Sequence, residues 1–174
     1  MLTRTSVKIY DANDAPVDRV VKKISLDTTR IDKAGHKHFM AKEIAEQPAV
    51  IGEALSRYLT ADGEIMLPDP GLDFTKIDRI TMVACGTAFY ACLTAKYWFE
   101  QIARMPVEVD VASEFRYREP PISDRTMALF VSQSGETADT LAALRYCAGK
   151  ADLITSVVNV TESSIARESN LALP

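Results

Sequence analysis

Cysteine, histidine and tryptophan are scarce in this chain of 174 residues, with three, two and one copies. Cys85, Cys92 and Cys147 form neither an even disulfide set nor a C-x-x-C pair, which excludes a disulfide-stapled scaffold, fits a reducing compartment and disfavours structural zinc. The two histidines flank a lysine in Gly35-His36-Lys37-His38-Phe39 with no third ligand in view, so they read as a linker and no metal is expected. Neither sign of charge dominates: 20 Lys and Arg stand against 24 Asp and Glu, net −4, which excludes a strongly basic nucleic-acid binder. Long apolar runs are absent. The longest candidate, Ala88 to Arg104, carries Thr94, Lys96 and Glu100 and falls short of the ~20 residues that cross a bilayer, so no membrane partner is expected. Met1-Leu2-Thr3-Arg4-Thr5 has no secretory-signal pattern, so a cytoplasmic location is expected. Neither G-x-G-x-x-G nor G-x-x-x-x-G-K-[ST] occurs, which demotes nucleotide binding.

What is present is a globular balance of 47% hydrophobic and 25% charged residues. Its length suits one domain of roughly 100–150 residues plus an extension. Val7-Lys8-Ile9-Tyr10 alternates, Asp11 to Pro16 is a turn cluster, and Val17 to Ile24 alternates again; this predicts a β-hairpin. From His38 to Leu59 an apolar stripe at helical spacing is interrupted by Pro48, which predicts two helices meeting near Gln47-Pro48. Asp62 to Gly71 is punctuated as a loop.

From about Arg79, strands and helices alternate. Strands are expected at Ile80–Ala84, Val107–Val111, Met127–Val131 and Leu153–Val158, with helices at Ala88–Arg104 and from Glu136 to about Gly149. Leu171-Ala172-Leu173-Pro174 reads as the start of a further strand where the chain stops, which suggests truncation. This order predicts an α/β fold, a three-layer α/β/α sandwich with a mainly parallel sheet. The Ala88–Arg104 helix is apolar on nearly every side, so a second packing surface is expected, either a symmetric dimer partner or the preceding helices.

In such sheets ligands bind beyond the carboxyl ends of the strands. Ser132-Gln133-Ser134-Gly135-Glu136-Thr137 offers three hydroxyls, an amide and a glycine at the start of a helix, where free N–H groups favour an anion such as a phosphate. Alternatively Ser134 simply caps that helix with Glu136 in its first turn. Cys85-Gly86-Thr87-Ala88 is a second strand-to-helix loop, in which Gly86 permits close approach and Thr87 can donate. Cys85 reads as a small hydrophobe, not a nucleophile. Arg116, Tyr117 and Arg118 suit an anion or a subunit contact.

The strings His38–Pro48 (HFMAKEIAEQP), Ala84–Thr87 (ACGT), Ala112–Arg118 (ASEFRYR) and Ser132–Thr140 (SQSGETADT) together resemble the glutamine–fructose-6-phosphate aminotransferase (glucosamine-6-phosphate synthase) family over essentially the whole chain. The resemblance implies a doubly wound sugar-isomerase (SIS) fold: residues 1–37 as the end of a glutaminase domain and linker, 38–70 as entry helices, and 71–174 as an incomplete first SIS domain. It implies fructose 6-phosphate and glucosamine 6-phosphate as ligands, a homodimer, and a glutaminase and a second SIS domain in the full-length enzyme. That enzyme makes glucosamine 6-phosphate and glutamate from fructose 6-phosphate and glutamine. Carried over, Thr87, Ser132, Gln133, Ser134 and Thr137 hold the phosphosugar, Gly86 and Gly135 contribute weakly, and no organic cofactor is called for. Many members have Ser where this chain has Ala88. The family's nucleophilic Cys, ring-opening His, Schiff-base Lys and isomerising Glu find no match here, so the implied reading is a fragment without catalytic residues, inactive alone. A non-catalytic phosphosugar-binding SIS module and another SIS isomerase or deglycase are the competing readings.

Overall fold

The computed structural model describes residues 1–20, 32–68 and 71–174. Backbone contacts divide it into Met1–Ser56 and Arg57–Pro174.

In the first unit, β1 (Ile9–Tyr10) pairs antiparallel with β2 (Pro16–Val17). Asp11 builds the turn as the sequence suggests: its Oδ1 accepts the N–H groups of Asn13 (2.8 Å) and Ala15 (2.9 Å), an Asx-turn. The second strand is shorter than the alternation predicts, and the expected continuation over 21–24 lies outside the described residues. One helix, α1 (Phe39–Tyr58), replaces the two expected, with Pro48 inside it. Pro48 removes a single N–H from the ladder, and the carbonyl left without a donor belongs to Ile44, a residue 66% exposed, where water can serve it. Lys42 is 4% exposed; its Nζ donates to the Asp32 carbonyl (2.5 Å) and stands 3.6 Å from Glu46.

The second unit carries a five-stranded parallel sheet in the order β4-β3-β5-β6-β7: β3 Arg79–Ala84, β4 Val107–Val111, β5 Thr126–Ser132, β6 Leu153–Val158 and β7 Leu171–Leu173. The expected four strands form, and Leu171–Leu173 is a fifth. The inner strands β3, β5 and β6 read as near-continuous apolar runs because both faces are covered, whereas the edge strand β4, Val107-Glu108-Val109-Asp110-Val111, alternates. Alternate residues divide the core. Ile80, Met82, Ala84, Val107 and Met127 meet Cys92, Phe89 and Ala95 of α2 (Gly86–Trp98) on one face. Val83, Ala128, Phe130, Ile154 and Val158 meet Phe115 of α3 (Ala112–Arg118), Leu144 and Cys147 of α4 (Ala138–Cys147) and Ile165 of α5 (Ser164–Glu168) on the other.

Helix α2 begins at Gly86, earlier than expected, and runs into a π-helical turn, Phe99–Ala103, closed by Arg104 in the left-handed region (φ 56°). Three side chains of α2, Tyr90, Tyr97 and Trp98, and Ile102 of the turn are largely exposed. Helices α3 and α5 are not anticipated from the sequence. On the α2 face, beyond that helix, Leu129, Val131, Val157, Leu171 and Leu173 line an apolar groove of about 640 Å³ with Ile65, Leu67 and Phe74. No helix among the described residues is long and apolar enough to cross a membrane.

Candidate functional site

Strand β3 pairs with β4 on one side and β5 on the other, so chain direction across the sheet reverses between β3 and β5. The loops that leave the carboxyl ends of these two strands bound the crevice where open α/β sheets bind ligands. The loop after β3 is Cys85 and the first residues of α2. Gly86 adopts φ 57°, which a side chain disfavours, and Thr87 is exposed with its hydroxyl free of partners among the described residues. Ala88 is half-buried against the α2-side core. Cys85 is half-buried as N-cap of α2 and lies 4.0 Å from the Thr140 hydroxyl, a contact that joins the end of β3 to α4. Cys92 and Cys147 are buried, and desolvation pushes both thiols up to about 11.

The loop after β5 is built on its own hydroxyls. Ser132 ends the strand almost fully buried; its Oγ accepts the Gly135 N–H (3.1 Å) and shares a hydrogen with Thr137 Oγ1 (3.0 Å). Ser134 Oγ accepts the Glu136 N–H (3.2 Å). These bonds hold Gly135 and Glu136 in a turn, with Gly135 at φ 65°, so helix α4 starts at Ala138 and not at Glu136 as the sequence suggests. The capping reading of Ser134 therefore changes: its hydroxyl closes the turn two residues before the helix, and Thr137 is the N-cap without a side-chain capping bond. Of the two hydroxyl hydrogens on Ser132 and Thr137 one is spent between them. The other, the Ser134 hydroxyl hydrogen and the unpaired N–H groups of α4's first turn remain for an anion. The Gly135 amide is already engaged. Gln133 and Ser134 are exposed. The structure thus brings Ser132 and Thr137 into contact, with Ser134 on the same loop and Thr87 on the neighbouring one.

The turn after β6 closes on this loop from the far side. Ser163, 2% exposed, packs against Gly135 so tightly that a Cβ there would lie within 3.0 Å of both its Oγ and Cβ. The Ile165 N–H donates to the Gly135 carbonyl (3.0 Å) and the Ser164 N–H to Glu136 Oε1 (2.6 Å). This last bond is the main reason the Glu136 carboxyl sits below the usual glutamate range. The sequence marks Thr161 to Ser164 only as a hydroxyl-rich turn; its contact with Gly135 is tertiary and has no local signal.

Arg116 and Arg118 are engaged within the chain. Arg116 pairs with Asp139 at the start of α4 (2.8 Å) and stacks on Tyr117, while Arg118 bonds Asp110 of β4. They tie α3 to its neighbours. His36 and His38 take part in no cluster of three metal-ligating residues among those described.

Known proteins resemble this chain in sequence and in fold. Residues 73–174 match the family model described as the SIS domain. The whole chain is 56% identical to a stretch of the glutamine–fructose-6-phosphate aminotransferase (isomerizing) of Brucella abortus, and 48% identical to that of Zymomonas mobilis. It spans about 29% of the length of these curated relatives. Among solved structures, the C-terminal domain of glucosamine-fructose-6-phosphate aminotransferase from Francisella tularensis is similar at TM-score 0.77 and 44% identity. That match covers 82% of this chain and 40% of the other.

Proposed function

This chain belongs to the SIS-domain family, and on that premise we propose that it is the phosphosugar-holding stretch of a glutamine–fructose-6-phosphate aminotransferase. The observation that carries the proposal is the Ser132–Thr137 hydroxyl pair, with Ser134 on the same loop, just ahead of α4 and beside the β3–β5 crevice. In this reading Ser134 and the one of Ser132 and Thr137 whose hydrogen is free donate to the phosphate or to neighbouring sugar hydroxyls, the other donating to its partner; the helix N-terminus supplies the favourable field, and Gln133 and Thr87 fix the sugar's orientation. Gly86 admits the ligand by carrying no side chain, whereas the bare face of Gly135 is taken by Ser163, so Gly135 contributes only through the shape of the loop. The chemistry of the parent enzyme, amino transfer from glutamine coupled to sugar isomerisation, is assigned to no residue of this chain.

The same reading divides the chain into the end of a glutaminase domain (1–37), entry helices (38–70) and part of a SIS domain (71–174), acting in the cytoplasm beside a glutaminase and a second SIS domain. It also assigns the exposed Tyr90, Tyr97, Trp98 and Ile102 surface to a homodimer, because isolated polar solvation of so much aromatic area is unfavourable. Sedimentation of the wild type and of Trp98→Ala tests that part: a dimer weakened by the substitution supports it, and a monomer at high concentration removes it.

The decisive experiment is thermal unfolding of the chain with fructose 6-phosphate, glucosamine 6-phosphate, inorganic phosphate and fructose, titrated separately. At ~100 times its dissociation constant a ligand of the folded state adds about 2.7 kcal/mol. Stabilisation by the hexose phosphates and none by fructose is expected. Equal responses to all four, or none, would overturn the assignment.

A further inference from the structure

Glu136 is fully exposed, yet its carboxylate is spent on a backbone N–H and not on a cation. The nearby guanidinium groups have partners of their own: Arg145 forms a two-pronged pair with Glu168 (2.8 and 2.6 Å), and Arg167 bonds the Glu162 carbonyl and Ser164 Oγ. Charge neutralisation therefore does not explain where Glu136 points. Its acceptor geometry does, because it meets the first N–H of α5, one of the orphan donors at a helix start, from a loop nearly thirty positions away.

We propose that Glu136 is a positioning residue that ties the Ser132–Thr137 loop to the Ser163–Ile165 turn, so that the affinity of the first loop for a phosphosugar depends on the second. The proposal rests on the phosphosugar reading above and extends it to a residue that touches no ligand. Two neighbouring contacts run along the same seam, the Ile165 N–H on the Gly135 carbonyl and the Ser163 side chain filling the space where Gly135 has none. Glu136 lies between them and Thr137, whose hydroxyl meets Ser132. Holding Glu136 thus fixes the backbone between the two anchored hydroxyls. A loop already in its binding shape loses less freedom when the ligand arrives.

The test uses three variants of the whole chain. Glu136→Gln keeps an acceptor oxygen and is expected to bind hexose phosphates like the wild type. Glu136→Ala removes it. Ser164→Pro removes the donor from the other side at the first helical position, where proline is tolerated. Both are expected to unfold cooperatively, to bind fructose 6-phosphate severalfold more weakly, and to show no further loss when combined. Without ligand, amide hydrogen exchange at residues 133–137 is expected to quicken in both. Unchanged affinity in Glu136→Ala, or unchanged exchange in that loop, overturns the inference. If the wild type itself binds no hexose phosphate, the phosphosugar reading fails, and the exchange data still decide whether Glu136 holds the loop.

Discussion

Replacing Gly135 by Ala is the sharpest perturbation the structure offers. At φ 65° an L-residue carries the left-handed penalty of roughly 1–2 kcal/mol. The added methyl also falls within 3.0 Å of Ser163 Oγ and Cβ and 3.6 Å from Val158 Cγ1, where carbon contacts are comfortable at ~3.5–4.0 Å. Neither side can easily yield. The Gly135 N–H and carbonyl are bonded to Ser132 and Ile165, and Ser163 caps the Ala166 N–H from a buried position. Overpacking of this kind costs about 1–3 kcal/mol, so the two effects together give about 2–5 kcal/mol. At roughly 2–4 °C of Tm per kcal/mol, the expected drop is about 4–20 °C by circular dichroism. Ser163→Gly removes both clashing atoms while losing its cap. The double variant Gly135→Ala with Ser163→Gly is therefore expected to be more stable than the two single losses added together. A Gly135→Ala protein melting within a degree of wild type, or strict additivity in the cycle, would refute the close-approach argument.

Ser156, on β6, is wholly buried with an Oγ that lacks a partner among the described residues, so Ser156→Ala is expected to leave the urea midpoint unchanged or raise it, whereas a loss above about 1 kcal/mol would show that the hydroxyl is hydrogen-bonded. Ala88→Ser adds a hydroxyl beside Thr87 and, on the phosphosugar reading proposed above, is expected to tighten fructose 6-phosphate binding by about tenfold in calorimetry; no gain would place the phosphate away from the β3–α2 loop. Asp78, Glu136 and Glu168 all have carboxyl groups lowered below their ordinary range, chiefly by hydrogen bonds from Arg125, Ser164 and Arg145. Their contribution is complete above the unfolded values near ~4 and is lost as pH falls through the lower folded ones. The urea midpoint is expected to decline in that acid window, and Glu168→Gln to flatten the decline; a parallel curve for the variant counts against the pair.

Strands β3 to β6 are legible, the three inner ones because a run such as Ile80 to Ala84 is buried on both faces and needs no pattern beyond apolarity, and the edge strand β4 because its valines alternate with acidic residues. Helix α1 is legible as helix but not as one helix: proline reasoning assumes that the lost bond must be healed, and solvent exposure at Ile44 removes that demand. Helix α3 escapes because it follows β4 at once, without a capping side chain, and in seven residues only Ala112 and Phe115 are buried, too few to show a period. At the candidate site the residues of the Ser132–Thr137 loop are visible as a string. Their arrangement is not, because the roles of Gly135 and Glu136 depend on Ser163 and Ser164, which only the sheet brings near.

The reversal of chain direction between β3 and β5 also orders events in time. Strands β5, β6 and β7 follow one another through single helices and can assemble locally, as can β3 with β4, but the β3–β5 seam forms only by closing a loop that contains α2, β4 and α3. Loop closure makes that seam the slow, non-local step. The crevice lies on the same seam, so a ligand touching both of its loops has nothing to grip until the two halves of the sheet have joined. Such a ligand is expected to slow unfolding in stopped-flow experiments while leaving the refolding rate unchanged. The crevice is therefore a clasp on the finished sheet, and occupancy lengthens the life of the native state without helping the chain to reach it.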